Sequence, residues 1–206
     1  MACANRGRCE SVRGTSHPER VSRLALYDAF VYEDQIPTFF HWARAGGVGE
    51  ALFALFYKER ADERMRLAFY DPSFVTEQLV ESVEGQLERP GTVAAALETV
   101  RSMHYAEIEA QYRKITAPAL LLWGREDSVT PLAYGERLAS EMKQARLVVY
   151  PRCGHFPMLE SRASSTAELV AFADDVGKPE PRPEPRPEQP RPEPTKTEPK
   201  PETGKP

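Results

Sequence analysis

Three stretches of this chain place apolar side chains side by side, and each ends at a turn-forming or polar residue. Leu24, Ala25, Leu26 and Tyr27 form the first, inside the region 21–30 and shortly after His17-Pro18-Glu19-Arg20. PALLLW, 118–123, stops at Gly124, and ARLVVY, 145–150, stops at Pro151. Uninterrupted runs of this length, β-branched at Val148 and Val149, predict three parallel strands, the last of them buried on both faces. Between the second and third the pattern turns helical, with Thr130 as the expected N-cap, Pro131 at the first helical position, and Leu138, Ala139 and Met142 on one face. Strand, helix and strand in this order make a right-handed crossover unit. A last helix is expected to begin near Ser165, whose spacing to Glu168 fits a capping box, and to cover one face of the sheet with Leu169, Val170 and Phe172.

From about 37 to 112 no strand is expected and apolar residues recur at helical spacing. Leu52, Leu55 and Phe56 make one stripe, Val75, Leu79, Val83 and Leu87 a second, and Val93, Leu97 and Val100 a third, with Pro90-Gly91 separating the last two. The pattern predicts a helical insertion between two strands. From Gly177 the chain reads GKPEPRPEPRPEQPRPEPTKTEPKPETGKP, which holds more than half of the 19 prolines. Such a segment has no apolar side chain to anchor a core, so residues 177–206 are expected to be disordered and locally polyproline II. Its Glu and Arg or Lys residues nearly cancel, which reads as a solvated spacer; Pro187-Glu188-Gln189-Pro190 also fits a P-x-x-P pattern, a weak match in so proline-dense a stretch. Residues 1–17 form an irregular leading segment, and no internal repeat is visible.

Composition narrows the function. Of 206 residues, 41% are hydrophobic, enough for one domain with a core once the tail is set aside. A formal net charge of -4 argues against nucleic acid or an anionic membrane as partner and favours a weakly charged or apolar small molecule. No apolar run approaches the ~20 residues that span a bilayer, and the opening MACANRGRCESVRGTS lacks the apolar centre of a secretory leader, so a cytoplasmic location is expected. Cys3, Cys9 and Cys153 match neither a disulfide framework nor a zinc site, and reduced thiols are expected.

The chemistry concentrates where two of the strands end. Trp123-Gly124-Arg125-Glu126-Asp127 follows one, and Cys153-Gly154-His155 the other. Parallel sheets gather ligands at their strands' carboxyl ends, and a histidine base needs a carboxylate in hydrogen-bond reach to set its tautomer. Alone, Asp127 would read as a turn former and His155 as a loop histidine; together at one sheet edge they read as an acid and a base. Glu126 is the fallback carboxylate. Phe156 and Met158 line a pocket or pack the last helix. His17, His41 and His104 read as structural or solvent-facing. Phe39, Phe40, Trp42, Phe53 and Phe56 suggest an apolar underside to the helical insertion, although helical stripes of this kind more often form core.

These residues resemble a known family. ITAPALLLWGREDSVTP followed by RLVVYPRCGHFPMLE and a short helix looks like the C-terminal part of an α/β-hydrolase-fold protein, and HPERVSRLALYDA resembles the piece of that fold just downstream of its nucleophile helix. The resemblance covers roughly 18 to 174 and implies an α/β fold: a truncated parallel sheet of about three strands in a partial domain, 18–176, with the insertion of about 37–112 in the place of the family's lid. It implies Asp127 as triad acid and His155 as triad base, acting in ester, C–C, epoxide or halide hydrolysis, with no cofactor and no metal.

One part of the family pattern is not found. The G-x-S-x-G elbow would fall about a dozen residues before Pro18, where the chain reads Met1-Ala2-Cys3-Ala4-Asn5-Arg6. Gly7-Arg8-Cys9-Glu10-Ser11 offers a G-x-C-x-S, but without room for a preceding strand; Ser11 and Ser16 fail for the same reason, and no nucleophile is assigned. Losing a triad nucleophile costs about 10⁶-fold in turnover. The expectation is therefore a chain that lacks the first half of the fold and does not hydrolyse efficiently alone, its missing half encoded upstream or supplied by a partner. The alternative is a non-catalytic interaction module that uses the tail and the open edge of the strand at Leu24 to Tyr27, an edge that invites self-association or a partner strand.

Overall fold

The computed structural model describes residues 21–56 and 61–175. The leading segment with Cys3, Cys9, Ser11, Ser16 and His17, and the proline-rich tail, lie outside the described residues, as does the Phe56 side chain. Among the described residues three strands form one sheet, β1 (Leu24–Tyr27), β2 (Ala119–Gly124) and β3 (Ala145–Tyr150). Their order is β1-β2-β3 and both pairings are parallel, with Leu24 opposite Ala119 and Ala119 opposite Ala145. This is the α/β architecture expected from the three apolar runs.

β2 is the central strand and all six of its residues are buried. The pleat sends its side chains alternately to two layers. Ala119 and Leu121 join Leu24, Val31, Tyr32, Tyr112 and Ile115 on one face, together with Leu138 and Met142 from the segment of α6 (Leu132–Glu141). Leu120 and Leu122 face the other way and meet Tyr150, Cys153 and Phe172, the last from α8 (Arg162–Asp174). The final helix thus covers one sheet face through Phe172, while Val170 is turned to solvent. β3 differs from expectation: five of its six residues are only partly buried. Among the described residues it pairs on one side alone, and its apolar run marks a half-covered edge.

Two helix starts also differ. Pro131, not Thr130, occupies the N-cap of α6. Thr130 is fully buried because its hydroxyl is used in tertiary contacts. Ser165 lies inside α8 rather than at its start, and its hydroxyl donates to the Pro157 carbonyl at 3.0 Å. Its supposed capping partner Glu168 pairs with Arg146 at 2.7 Å, so no capping box forms. A short helix, α7 (Pro157–Glu160), precedes α8.

Between β1 and β2 the chain is helical, as the periodicity predicts: α1 (Thr38–Ala43), α2 (Val48–Phe56), α3 (Ala61–Ala68), α4 (Glu77–Leu87) and α5 (Thr92–Ser102). Thr76 caps α4 by accepting from the Leu79 amide. Pro90-Gly91 falls between α4 and α5, Gly91 taking φ 85°. Val93, Leu97 and Val100 join Phe39, Phe40, Ala43, Leu52 and Phe53 in a small separate core. These aromatics therefore pack the insertion itself, and Trp42 is 62% exposed. Val75 is buried but precedes α4, and Leu55 is exposed.

Candidate active site

The carboxyl ends of β1, β2 and β3 carry three short loops that meet above the sheet. Backbone contact makes the meeting close. A Cβ on Gly124 would lie 1.9 Å from the Gly154 carbonyl oxygen, and one on Gly154 would lie 2.4 Å from that of Ala68. Only glycine lets the end of β2, the loop after β3 and the end of α3 cross at these points. The loop after β3 is then pinned amide by amide. The Cys153 N–H donates to Glu126 Oε2 at 3.0 Å, the Gly154 N–H to Glu160 Oε1 at 2.8 Å and the His155 N–H to the Ala68 carbonyl at 2.7 Å.

Held in this way, His155 presents Nδ1 to Asp127 Oδ2 at 2.9 Å. The two residues singled out in the sequence are brought together, and of the neighbouring carboxylates it is Asp127, not Glu126, that meets the imidazole. Asp127 Oδ1 accepts from the amides of Val129 (2.7 Å) and Thr130 (3.0 Å), and Oδ2 accepts from the Thr130 hydroxyl at 2.6 Å. The Asp127 side chain is fully buried and that of His155 is 20% exposed. Burial pushes the Asp127 carboxyl up, but the hydrogen bonds and positive charge of His155 and the bonds from Thr130 outweigh it and hold the carboxyl below its usual range. Both contacts of the imidazole to hydrogen-bonding groups among the described residues, Asp127 and the Thr130 hydroxyl at 3.3 Å, are at Nδ1.

Apolar rings border the imidazole. Phe156 stands edge-on to His155 with centroids 5.1 Å apart, and packs at 4.7 Å against Phe69, which stacks on Phe74 at 6.0 Å. Phe156 thus packs against the stretch of the helical insertion that follows α3. Cys153 is fully buried, and burial pushes its thiol up to about 12, so it is an inert core residue. His41 and His104 are exposed, with His41 3.7 Å from Glu33. Among the described residues no group of three or more His, Cys, Asp or Glu could hold a metal ion, and no helix is long and apolar enough to cross a membrane.

Sequence reasoning missed Thr130, Glu160 and Asp28. Asp28 follows β1 directly, is 3% exposed, and accepts the Gly124 N–H at 2.8 Å. The strand-end rule that singles out Asp127 applies equally to Asp28. Glu160 carried no such sign, because two of the three amides it accepts, at Tyr70 and Asp71, come from a segment about ninety positions away.

Known proteins resemble this chain in sequence and in fold. A 2-hydroxy-6-oxononadienedioate/2-hydroxy-6-oxononatrienedioate hydrolase of Burkholderia vietnamiensis is 30% identical over 162 residues, covering 76% of this chain and 55% of that protein. A pimeloyl-[acyl-carrier protein] methyl ester esterase of Nitrosomonas europaea is 32% identical over 77 residues, 37% of this chain and 29% of that one. The chain spans about half the length, or less, of these curated relatives. A solved meta-cleavage product hydrolase from Pseudomonas fluorescens IP01 shares the fold at a TM-score of 0.63 and 22% identity, over 80% of this chain and 60% of that one. The model of the alpha/beta hydrolase family matches residues 3–171, a stretch that takes in all three strands, the helices between them and the Asp127–His155 pair, and the chain belongs to that family.

Proposed function

We propose that this chain carries the acid and base of a hydrolase site, Asp127 as the acid and His155 as the base. The observation behind this reading is the 2.9 Å contact between Asp127 Oδ2 and His155 Nδ1 at the carboxyl ends of β2 and β3. With its proton on Nδ1 and donated to Asp127, the imidazole has Nε2 as its free base. Nε2 takes the proton of a nucleophile as that group attacks a carbonyl carbon, and later gives it to the leaving group. The ionised Asp127 offsets the positive charge His155 carries in between. The nucleophile and the amides that stabilise the oxyanion come from outside the described residues.

The substrate in this reading is a small, largely apolar carbonyl compound entering beside Phe69, Phe74 and Phe156, with helices α1 to α5 acting as a lid. Of the hydrolytic chemistries open to the family, the relatives named for an oxo diene acid and for a methyl ester favour C–C or ester hydrolysis over epoxide or halide. A fluorophosphonate or a thiol-directed ester offered to the full chain is expected to label one residue, slowly and only while His155 is present; peptide mapping then identifies the nucleophile. Labelling that persists unchanged in His155→Ala would overturn the assignment.

A second reading is favoured by one observation. The amides of Leu24 and Asp28 donate to β2, so the alternate amides of Ala25 and Tyr27 point away from it. That edge suits a partner strand, and a chain that labels with neither probe yet binds another protein through β1 would be an interaction module.

A further inference from the structure

Behind the Asp127–His155 pair lies a second buried carboxyl that the mechanism above does not use. Asp28 takes φ 39°, a left-handed backbone rare outside glycine, directly after β1. Its carbonyl lies 3.1 Å from the Thr130 hydroxyl, whose proton goes to the nearer Asp127 Oδ2, and its Oδ1 accepts the Gly124 amide. Its Oδ2 is buried and finds no donor among the described residues. The nearest charge is the Asp127 carboxylate, which shares the Thr130 hydroxyl with the Asp28 backbone and raises the Asp28 carboxyl.

Two ionised carboxylates have acceptors only and repel, and a proton on one of them removes the repulsion and gives the unpartnered Asp28 Oδ2 a role. The owner of that proton follows from the donors. Asp127 accepts two amides, a hydroxyl and the His155 ring, whereas the Asp28 side chain accepts one amide. The negative charge belongs on the better-solvated Asp127 and the proton on Asp28.

We propose that Asp28 is a neutral carboxylic acid whose hydroxyl donates to Asp127, making it a positioning residue that acts on His155 through Asp127. The catalytic meaning rests on the function proposed above; the protonation does not. Burial pushes the Asp28 carboxyl up to about 9 against the pull of the Gly124 amide, and Asp127 and Glu160 add their negative charge. The Cys153 thiol, raised chiefly by burial and further by these carboxylates, stays neutral as well. The Asp28–Asp127 pair then bears one negative charge to set against one imidazolium. The extra hydrogen bond also makes Asp127 a weaker base, which keeps the shared proton on Nδ1.

Infrared spectroscopy of the full chain with ¹³C-labelled aspartate, together with NMR titration of the His155 ring, tests this. A protonated-carboxyl C=O stretch at pH 7 that disappears in Asp28→Asn is expected, with the His155 titration midpoint unchanged, because Asn is neutral and still offers Asp127 an N–H. Absence of that band at pH 7 overturns the proposal. So does a midpoint that falls by on the order of one unit in Asp28→Asn, the response to losing a neighbouring ionised carboxylate. Should Asp28→Asn not fold, the band in the unmodified chain still decides. Failure of the hydrolase reading, seen as labelling independent of His155, would leave both spectroscopic results as they are.

Discussion

Thr130 shows how one side chain serves both structure and chemistry. Its fully buried hydroxyl lies 2.6 Å from Asp127 Oδ2 and 3.1 Å from the Asp28 carbonyl, and its own carbonyl accepts the Trp123 indole N–H at 2.7 Å. Thr130→Val keeps the shape and removes the hydroxyl. It is expected to cost about 1–3 kcal/mol in urea denaturation, with Thr130→Ser recovering most of the loss. The two buried aspartates should give opposite pH responses. Asp127, held low, stabilises the fold above the ordinary carboxylate range, and that contribution is lost as pH falls through its folded value. Asp28, held high, is ionised in the unfolded chain but not in the fold, so stability declines as pH rises from about 4 toward its folded value of about 9. Thermal melts across that window should show a shallower decline for Asp28→Asn than for the unmodified chain.

At the scale of elements, His155 is aimed by the attachment of its loop rather than by a helix or strand of its own. Glu160, on α7, accepts from Gly154 with one oxygen and from Tyr70 and Asp71 with the other, at 2.8 and 3.2 Å, joining the histidine loop to the chain that leaves α3. Glu160→Ala should accelerate hydrogen exchange at these three amides and weaken the Asp127–His155 contact, with a smaller effect for Glu160→Gln, which keeps an acceptor. Gly124→Ala acts on the same loop from the other side. Its Cβ would overlap the Gly154 carbonyl, so the loop must move or the protein must lose stability by several kcal/mol. A native-like melting curve with the Nδ1–Oδ2 contact intact would show the crossing to be looser than described.

At the scale of the whole molecule, the three described strands separate two apolar layers, and β2 supplies both. Leu121→Ala should therefore cost about 2–5 kcal/mol, far more than Val170→Ala on the exposed face of α8. The outer amides of β1 belong to the same scale. If copies of the chain pair along β1, Ala25→Pro removes an amide that β2 does not use and should lower the apparent mass in sedimentation velocity at high concentration without altering the melting curve.

The strands, the helical character of the stretch between β1 and β2, and the pairing of Asp127 with His155 were legible in the sequence, because apolar runs, helical spacing and strand-end residues are local patterns. Helix boundaries at Thr130 and Ser165 were not, since a buried hydroxyl that looks like a cap was claimed by an acceptor outside its own helix, the Asp127 carboxylate or the Pro157 carbonyl. Periodicity could not show that β3 is half-covered, because an edge strand and a central one can carry the same apolar run. Only the folded chain brought Asp28 to the end of β2 and let Glu160 join the histidine loop to Tyr70 and Asp71, since those contacts span about ninety to a hundred positions. The residue types that could do chemistry were thus written locally, while their partners and charge states depend on burial that the assembled sheet alone creates.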